Sequence, residues 1–452
     1  IFQKMPKGVK FTHHLLIIIL ASLVIRLPLF FAHSAVTTAD TDGYYKLERK
    51  LTDGKILNMV FNDERTPLYL IYLHFGMSLS GNFNPIYKSA EFYNGAYLVT
   101  SLQTIFGILS ILLIYFTLIK IKVNPQKALL CSLFLSGNIM IFSWEKILLT
   151  ESLTIFLLIL IFYISVNLLT YKTFPYKLLL ILCSALLILL KPIYLGLPFL
   201  ILLIYCLHKY QRAKIRFAII FLIIYLVLPL AYVRYNFVQR KYLGINHITD
   251  INLLGKIMQF NLPITNAKKF RYFYETLSDY RQKKFPPMPY TFLEYYDPLI
   301  YSHTEKLNSL SGFNAKVISS NLTGFFTRSI SQIPSAMLEK SEFIKTVIPP
   351  VGLANFVYRY LYEIYKTVQY LTLIFIPIFI VSIFLFFKKR NNLKFAVFFL
   401  AGMISFYQIV LSVFFSYEEF GRLIVVVQPL LYLFIFYSCG QIWTYLRVSR
   451  IP

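Results

Sequence analysis

Apolar residues along the chain gather into runs of membrane length, divided by short polar connections and two longer polar stretches. At 1.5 Å per residue a span needs about 20 apolar residues. Such runs fall at 12–31, 96–119, 128–143, 147–170, 176–190, 193–207, 217–234, 368–387, 395–415 and 423–445. The pattern therefore predicts an all-α polytopic membrane protein with about ten transmembrane helices. The first run is read as a retained helix: Arg26 interrupts it and no small-residue cleavage site follows cleanly. Between the first two runs lies a loop, 32–95, expected to carry amphipathic helices. Its apolar piece PLYLIYLHFGMSLS is too short to span and is expected to be interfacial or re-entrant. A second polar stretch, 235–367, is too long for a bare loop and is expected to form a small, mostly helical domain. The expected organisation is an N-terminal membrane module over 1–234, a domain over 235–367 and C-terminal membrane helices over 368–452.

Composition agrees with the pattern. Hydrophobic residues make up 57% of 452 and charged residues 14%, with a mean hydropathy of +0.62. A formal charge of +25 raises nucleic acid as a partner. The positions of the basic residues exclude it. Lys4/Lys7/Lys10, Lys120/Lys122/Lys127, Lys172/Lys177, Lys209/Arg212/Lys214/Arg216, Lys388/Lys389/Arg390/Lys394 and Arg447/Arg450 occupy every second connection. By the positive-inside rule these face the cytoplasm, with both termini inside, and they meet anionic membrane lipids. The bacterial plasma membrane is the expected location. The four cysteines lie within or at the ends of apolar runs, without metal spacing, and are expected to be free thiols. The seven His show no HExxH, and no phosphate-binding glycine motif occurs.

That topology puts the remaining charges at one depth. Asp40 and Asp42 follow helix 1 in TTADTDGYYKLERKLTDG; Trp144, Glu145 and Lys146 form the next turn, with Glu151 just inside helix 4. Lys191 precedes Pro192, Arg234 closes helix 7, and Glu418, Glu419 and Arg422 lie between helices 9 and 10. Ionisable groups at the hydrocarbon edge tend to face a cavity or a partner. Charges from five connections thus point to one polar site at the external face. Each also has an ordinary reading. Lys191 and Arg422 could be snorkelling anchors, Glu145 and Lys146 a solvated turn, Asp40 an N-cap for the following helix, and Glu151 part of a capping arrangement with Thr150. A group transfer at this boundary would use a carboxylate to take a proton from an attacking hydroxyl and cations to hold a departing phosphate. Asp40 or Asp42 suits the first task; Lys191, Arg422 and Arg234 suit the second.

The order VIRLPLF, DTDGYY, RTPLY, WEKILLTESLTIFLL, LLKPIYLGLPFL, PLAYVRYNFVQRKYLG, YEEFGRLIVVVQPLL resembles the GT-C superfamily of membrane glycosyltransferases. The likeness is to the dolichyl-phosphate-mannose protein mannosyltransferase and aminoarabinose transferase group, and it covers nearly the whole membrane part. It implies an inverting transferase that moves a sugar from a polyprenyl-phosphate-linked donor to a glycan, lipid or protein acceptor. It implies Asp40 as general base and Lys191 and Arg422 as phosphate ligands. Asp42 stands where a common version of the pattern has Glu, so the choice between the two acids stays open, as does a divalent cation (Mg or Mn) shared by Asp40 and Asp42. Tyr44 and Tyr45 are candidates to line the sugar pocket, with Glu151 and Glu419 as further substrate contacts; an interfacial aromatic belt is the alternative for the tyrosines. A polysaccharide polymerase or ligase, a lipid-linked glycan transporter and a scaffold are the competing classes. Transport is disfavoured by the uninterrupted centres of runs such as FLIIYLVL.

Overall fold

The computed structural model describes residues 9–32, 35–52, 56, 60, 65–81, 85–171, 173–208, 212–300 and 304–448. Lys4, Lys7, Lys172, Lys209 and Arg450 of the basic clusters lie outside them, as do His33 and parts of loop 32–95. The described residues form an all-helical integral membrane protein. Six helices are long and apolar enough to cross a bilayer: Thr12–Phe31, Ala90–Lys120, Glu151–Tyr171, Arg212–Gln239, Gly352–Lys389 and Leu393–Phe415. A seventh candidate is the bent pair Pro125–Ser136 and Ile139–Lys146, which turns by 51°. The expected spans at 176–190 and 193–207 appear as shorter apolar helices, Phe174–Leu190 and Pro192–Leu207. The run at 423–445 becomes two helices, Phe420–Val425 and Gln428–Val448.

Breaks in these helices have local causes. Gly137 ends one half of the bent pair, and Asn138 starts the other by accepting from the Met140 amide at 3.0 Å. The chain then runs through a short 3-10 turn, Ser143–Lys146, is extended at Ile147 and bends through 148–150 into the helix that starts at Glu151. Irregular backbone inside a membrane body needs internal partners, and Gln103 supplies them. Its Nε2 donates to the carbonyls of Trp144, Glu145 and Ile147 at 3.3, 3.0 and 2.9 Å. Val36 adds a parallel bridge to Ile147: its amide donates to the Lys146 carbonyl at 2.8 Å and its carbonyl accepts from Leu148 at 3.0 Å. The segment after helix 1 is thereby tied to the start of the helix that begins at Glu151. Pro28 interrupts the first helix, and the Tyr358 hydroxyl fills the gap by donating to the Ile25 carbonyl at 2.6 Å and accepting from the Leu29 amide at 3.0 Å.

Two apolar clusters organise the chain. The larger fills the helical bundle; the smaller, running from Ile251 to Phe325, is the core of a polar lobe built from five helices between Ile248 and Ser331. The expected segment 235–367 contributes to both, since Met337, Ile344, Tyr358 and Tyr365 pack in the larger. Its last part is the helix Gly352–Val368, which continues into the next apolar helix. Tyr358, Tyr362 and Tyr365 recur on one side at helical spacing and are buried, whereas Leu353, Phe356 and Tyr360 are exposed.

Candidate active site

At one end of the bundle, five separate segments bring acids and bases into contact. The helix Ala39–Thr52 carries Asp40 in its first turn, where a helix N-terminus favours negative charge. Thr38 performs the capping, its Oγ1 accepting from the Thr41 amide at 3.3 Å, so the Asp40 side chain is free of that duty. Thr41 donates in turn to the Leu148 carbonyl at 3.0 Å, which locks this helix against the irregular segment before Glu151. Lys191 ends the helix Phe174–Leu190, because Pro192 has no amide to continue it. Arg65 precedes Thr66 and Pro67 at the start of Pro67–Leu79, and Thr66 donates to the Leu190 carbonyl at 3.0 Å, drawing Arg65 toward Lys191. Arg422 sits on Phe420–Val425, whose entry residue Glu419 has a left-handed backbone (φ 59°). Gly421 lets this helix close onto the chain at Glu339, since a Cβ there would meet the Glu339 carbonyl oxygen at 2.7 Å.

Arg422 is the hub. Its Nη1 donates to Asp40 Oδ2 at 2.7 Å and to Glu419 Oε2 at 2.8 Å, while its Nε donates to Glu151 Oε1 at 2.8 Å. Lys191 Nζ donates to the same Glu151 oxygen at 2.9 Å, and Arg65 Nη2 donates to Asp40 Oδ1 at 2.6 Å. Three carboxylates and three cations thus form one chain of ion pairs. Burial pushes the Asp40 carboxyl up, but the guanidinium groups of Arg422 and Arg65 outweigh that and hold it at about 2. Lys191 goes the other way: burial draws its ammonium below the ordinary lysine value, against the pull of Glu151. Tyr44 lies beneath, with the Arg65 guanidinium 4.9 Å from its ring centroid.

The cluster forms one wall of a cavity of about 720 Å³ lined by Asp40, Tyr44, Arg65, Lys191, Glu419 and Arg422. The same cavity is walled by apolar Leu190, Ile193, Leu411 and Phe415 at the helix ends, and by the polar lobe on the side away from the bundle.

The expected site residues divide accordingly. Asp40, Glu151, Lys191, Glu419 and Arg422 come together, with Tyr44 beside them. Glu151 is fully buried and sits behind Lys191 and Arg422 rather than on the cavity surface, so it reaches a substrate only through those cations. Asp42, on the next face of its helix, pairs with exposed Lys46 at 2.5 Å. Tyr45 packs within the first loop, its hydroxyl donating to the Pro85 carbonyl and its ring stacking on Tyr87. Arg234 is exposed on the helix Arg212–Arg240 and does not line the cavity. Glu145 and Lys146, read as a solvated turn, are buried at 4% and 2% exposure. Glu145 forms a bidentate pair with Arg26, accepting from Nε at 2.8 Å and Nη2 at 2.9 Å. Arg65 is the functional candidate that the sequence reading left without a role. Its signal was a cation directly before a Thr-Pro helix start, 25 residues on from Asp40.

The pair Asp40 and Asp42 does not fit a shared divalent cation. Both oxygens of Asp40 accept from arginines, and Asp42 turns to Lys46. Among the described residues no three His, Cys, Asp or Glu side chains gather as metal ligands.

Fold and site together define an integral membrane protein with a buried chain of ion pairs at its helix ends, opening on a cavity that is part polar and part apolar. No family model and no curated protein matches the sequence. Among solved structures the chain is similar to the oligosaccharyltransferase AglB from Archaeoglobus fulgidus in complex with an inhibitory peptide and a dolichol-phosphate. The TM-score is 0.49 at 12% identity, over 98% of this chain and 52% of that one. The chain therefore spans about half the length of that protein. It is also similar to ArnT from Cupriavidus metallidurans in the apo state, with a TM-score of 0.40 at 11% identity, over 93% of this chain and 78% of that one.

Proposed function

We propose that this protein is a GT-C-type glycosyltransferase that moves a sugar from a polyprenyl-phosphate-linked donor to an acceptor hydroxyl at the external membrane face. The observation that carries the reading is the convergence of Asp40 with Arg65, Lys191 and Arg422 on a cavity that continues into apolar helix ends. A soluble donor would not need Leu190, Ile193, Leu411 and Phe415 in the same wall; a prenyl chain would lie against them.

In this reading Asp40 takes the proton of the acceptor hydroxyl. The hydroxyl oxygen forms its bond to the anomeric carbon from the face opposite the phosphate. The bond from that carbon to the phosphate oxygen breaks, and its electron pair leaves with the polyprenyl phosphate. One displacement inverts the anomeric centre. The phosphate gains negative charge as it leaves, and Arg65, Lys191 and Arg422 meet that charge with donors already fixed in place. Donor phosphate also competes with Asp40 for the two guanidinium groups, so its arrival raises the basicity of a carboxylate otherwise held too low to accept a proton well.

The test is incubation of the purified chain with a panel of polyprenyl-phosphate sugars and acceptors, reading release of free carrier phosphate. Release that depends on acceptor and is lost in Asp40→Asn is expected. No release from any donor, or release unchanged in Asp40→Asn, would overturn the reading.

A further inference from the structure

The cavity has two walls of opposite character. The bundle wall holds the three cations. The facing wall comes from the polar lobe and its approach, through Tyr242, Asn246, Thr249, Asp250, Asn252 and Tyr290. Residues 241–331 include eleven Lys and Arg against six Asp and Glu, yet among the described residues none of those eleven lines the cavity. A basic lobe therefore turns a cation-free, hydrogen-bonding face with a single carboxylate toward the site. That face is fixed from behind. The Tyr242 hydroxyl bonds Asp250 Oδ2 at 3.0 Å, the Tyr242 ring lies 3.7 Å from the His247 ring, and Asn314 Nδ2 donates to the Asp250 carbonyl at 2.7 Å.

Tyr290 stands apart from this packed set. It opens the helix Pro289–Tyr296, is 37% exposed, and lies within the electrostatic reach of Arg65, Asp40, Glu419 and Arg422. Among the described residues no hydrogen bond or ring pairing engages it. A flat ring with a free face, set between a catalytic carboxylate and a wall of amides and hydroxyls, suits a pyranose ring, whose apolar face packs on an aromatic while its edge hydroxyls find polar partners.

The geometry points to an acceptor subsite for an uncharged, hydroxyl-rich glycan, with Tyr290 as its stacking platform and the Asn246, Asn252 and Asp250 side chains as its hydroxyl partners. The assignment of the bound glycan as acceptor rests on the transfer reading above. The subsite itself rests on the cation-free wall and the open ring. An anionic glycan is disfavoured on this side because it would meet Asp250, Glu418 and Glu419 with no lobe cation to answer it.

The experiment is a binding measurement without donor. The full chain in nanodiscs is titrated against an array of neutral hexose oligosaccharides, their sulfated counterparts and short Ser/Thr peptides. Saturable binding of neutral glycans is expected, weaker by about tenfold in Tyr290→Ala and in Asp250→Asn. Tyr290→Phe keeps the ring and retains binding. Tyr290 is partly exposed, so its loss leaves the fold intact even where Asp250→Asn disturbs the lobe. Equal or tighter binding of sulfated glycans, binding of peptides in their place, no binding at all, or an unchanged Tyr290→Ala would each overturn the proposal. Glycan binding that persists while no donor releases carrier phosphate would sink the transfer reading and leave the subsite standing.

Discussion

Glu151→Gln separates positioning from catalysis. The wild-type carboxylate is fully buried, accepts from Lys191 at 2.9 Å and from Arg422 at 2.8 Å, and does not touch the cavity. Glutamine keeps the volume and one acceptor oxygen but removes the charge between two buried cations. Breaking a buried pair from one side costs about 3–5 kcal/mol, and the retained acceptor puts the change near the lower end. Lys191 feels it most. Burial already lowers its pKa and Glu151 opposes that shift, so without Glu151 the ammonium loses its proton at lower pH still. A neutral amine cannot answer a phosphate, and losing one charge-assisted contact of about 1.5–3 kcal/mol lowers transfer by roughly 10- to 100-fold on the alkaline side of the lysine's titration. Acid restores the proton, so the variant recovers toward wild type as pH falls. The assay is carrier-phosphate release against pH, with thermal unfolding of both proteins in the same detergent. A loss of equal size at every pH would show that Glu151 does not act through Lys191, and an unchanged thermal midpoint would contradict the buried pairs themselves.

Asp40→Asn should lower transfer by about 10²–10⁴-fold, the usual worth of a positioned base, while Asp42→Asn stays near wild type because its partner Lys46 is exposed; both are read by carrier-phosphate release. The depressed Asp40 pKa makes its ion pairs stabilising above the free carboxyl value and lost only as pH falls through about 2, so thermal midpoints of wild type and Asp40→Asn should run parallel across neutral pH. Arg422→Lys keeps the charge but cannot span Asp40, Glu151 and Glu419 at once, and donor KM should rise by about tenfold or more in initial-rate measurements. Glu145→Ala should destabilise by about 3–5 kcal/mol in thermal unfolding with donor KM unchanged, and pairing Arg26→Met with Glu145→Leu should cost less than either alone.

Much of the site was legible because helix ends are legible. Apolar runs and alternating basic loops placed Asp40, Glu151, Lys191 and Arg422 at one depth, and these are the residues that meet. What the pattern could not show was direction. Asp40 and Asp42 are two residues apart on a helix and so point about 200° apart around its axis; only the capping role of Thr38 and the bond from Thr41 to Leu148 decide which one faces Arg422. WEK looked like a wet turn because three polar-tipped residues ended an apolar run. The Gly137-Asn138 break bends that run by 51° and drives Glu145 inward to Arg26, a partner 119 residues away. Tyr-rich YRYLYEIYK looked like part of the polar lobe for the same reason. Its buried tyrosines satisfy their hydroxyls on carbonyls of the bundle, as Tyr365 does on Phe134 at 2.6 Å, so a polar-looking segment packs with the membrane helices.

The charge chain explains why such a site can exist before any substrate arrives. Three carboxylates, Asp40, Glu151 and Glu419, balance Arg65, Lys191 and Arg422, and a neutral set is far cheaper to bury than isolated ions. The same balance fixes what can enter. An anion bound at Arg65 and Arg422 takes donors from Asp40, leaving that carboxylate charged, less tightly held and facing the cavity. Glu151 cannot be displaced in this way, since it lies behind the cations and keeps Lys191 and Arg422 in place whatever occupies the front. In the proposed transfer one carboxylate would yield to the phosphate and act as the base while the other holds the frame, and that division follows from which of them reaches the cavity wall.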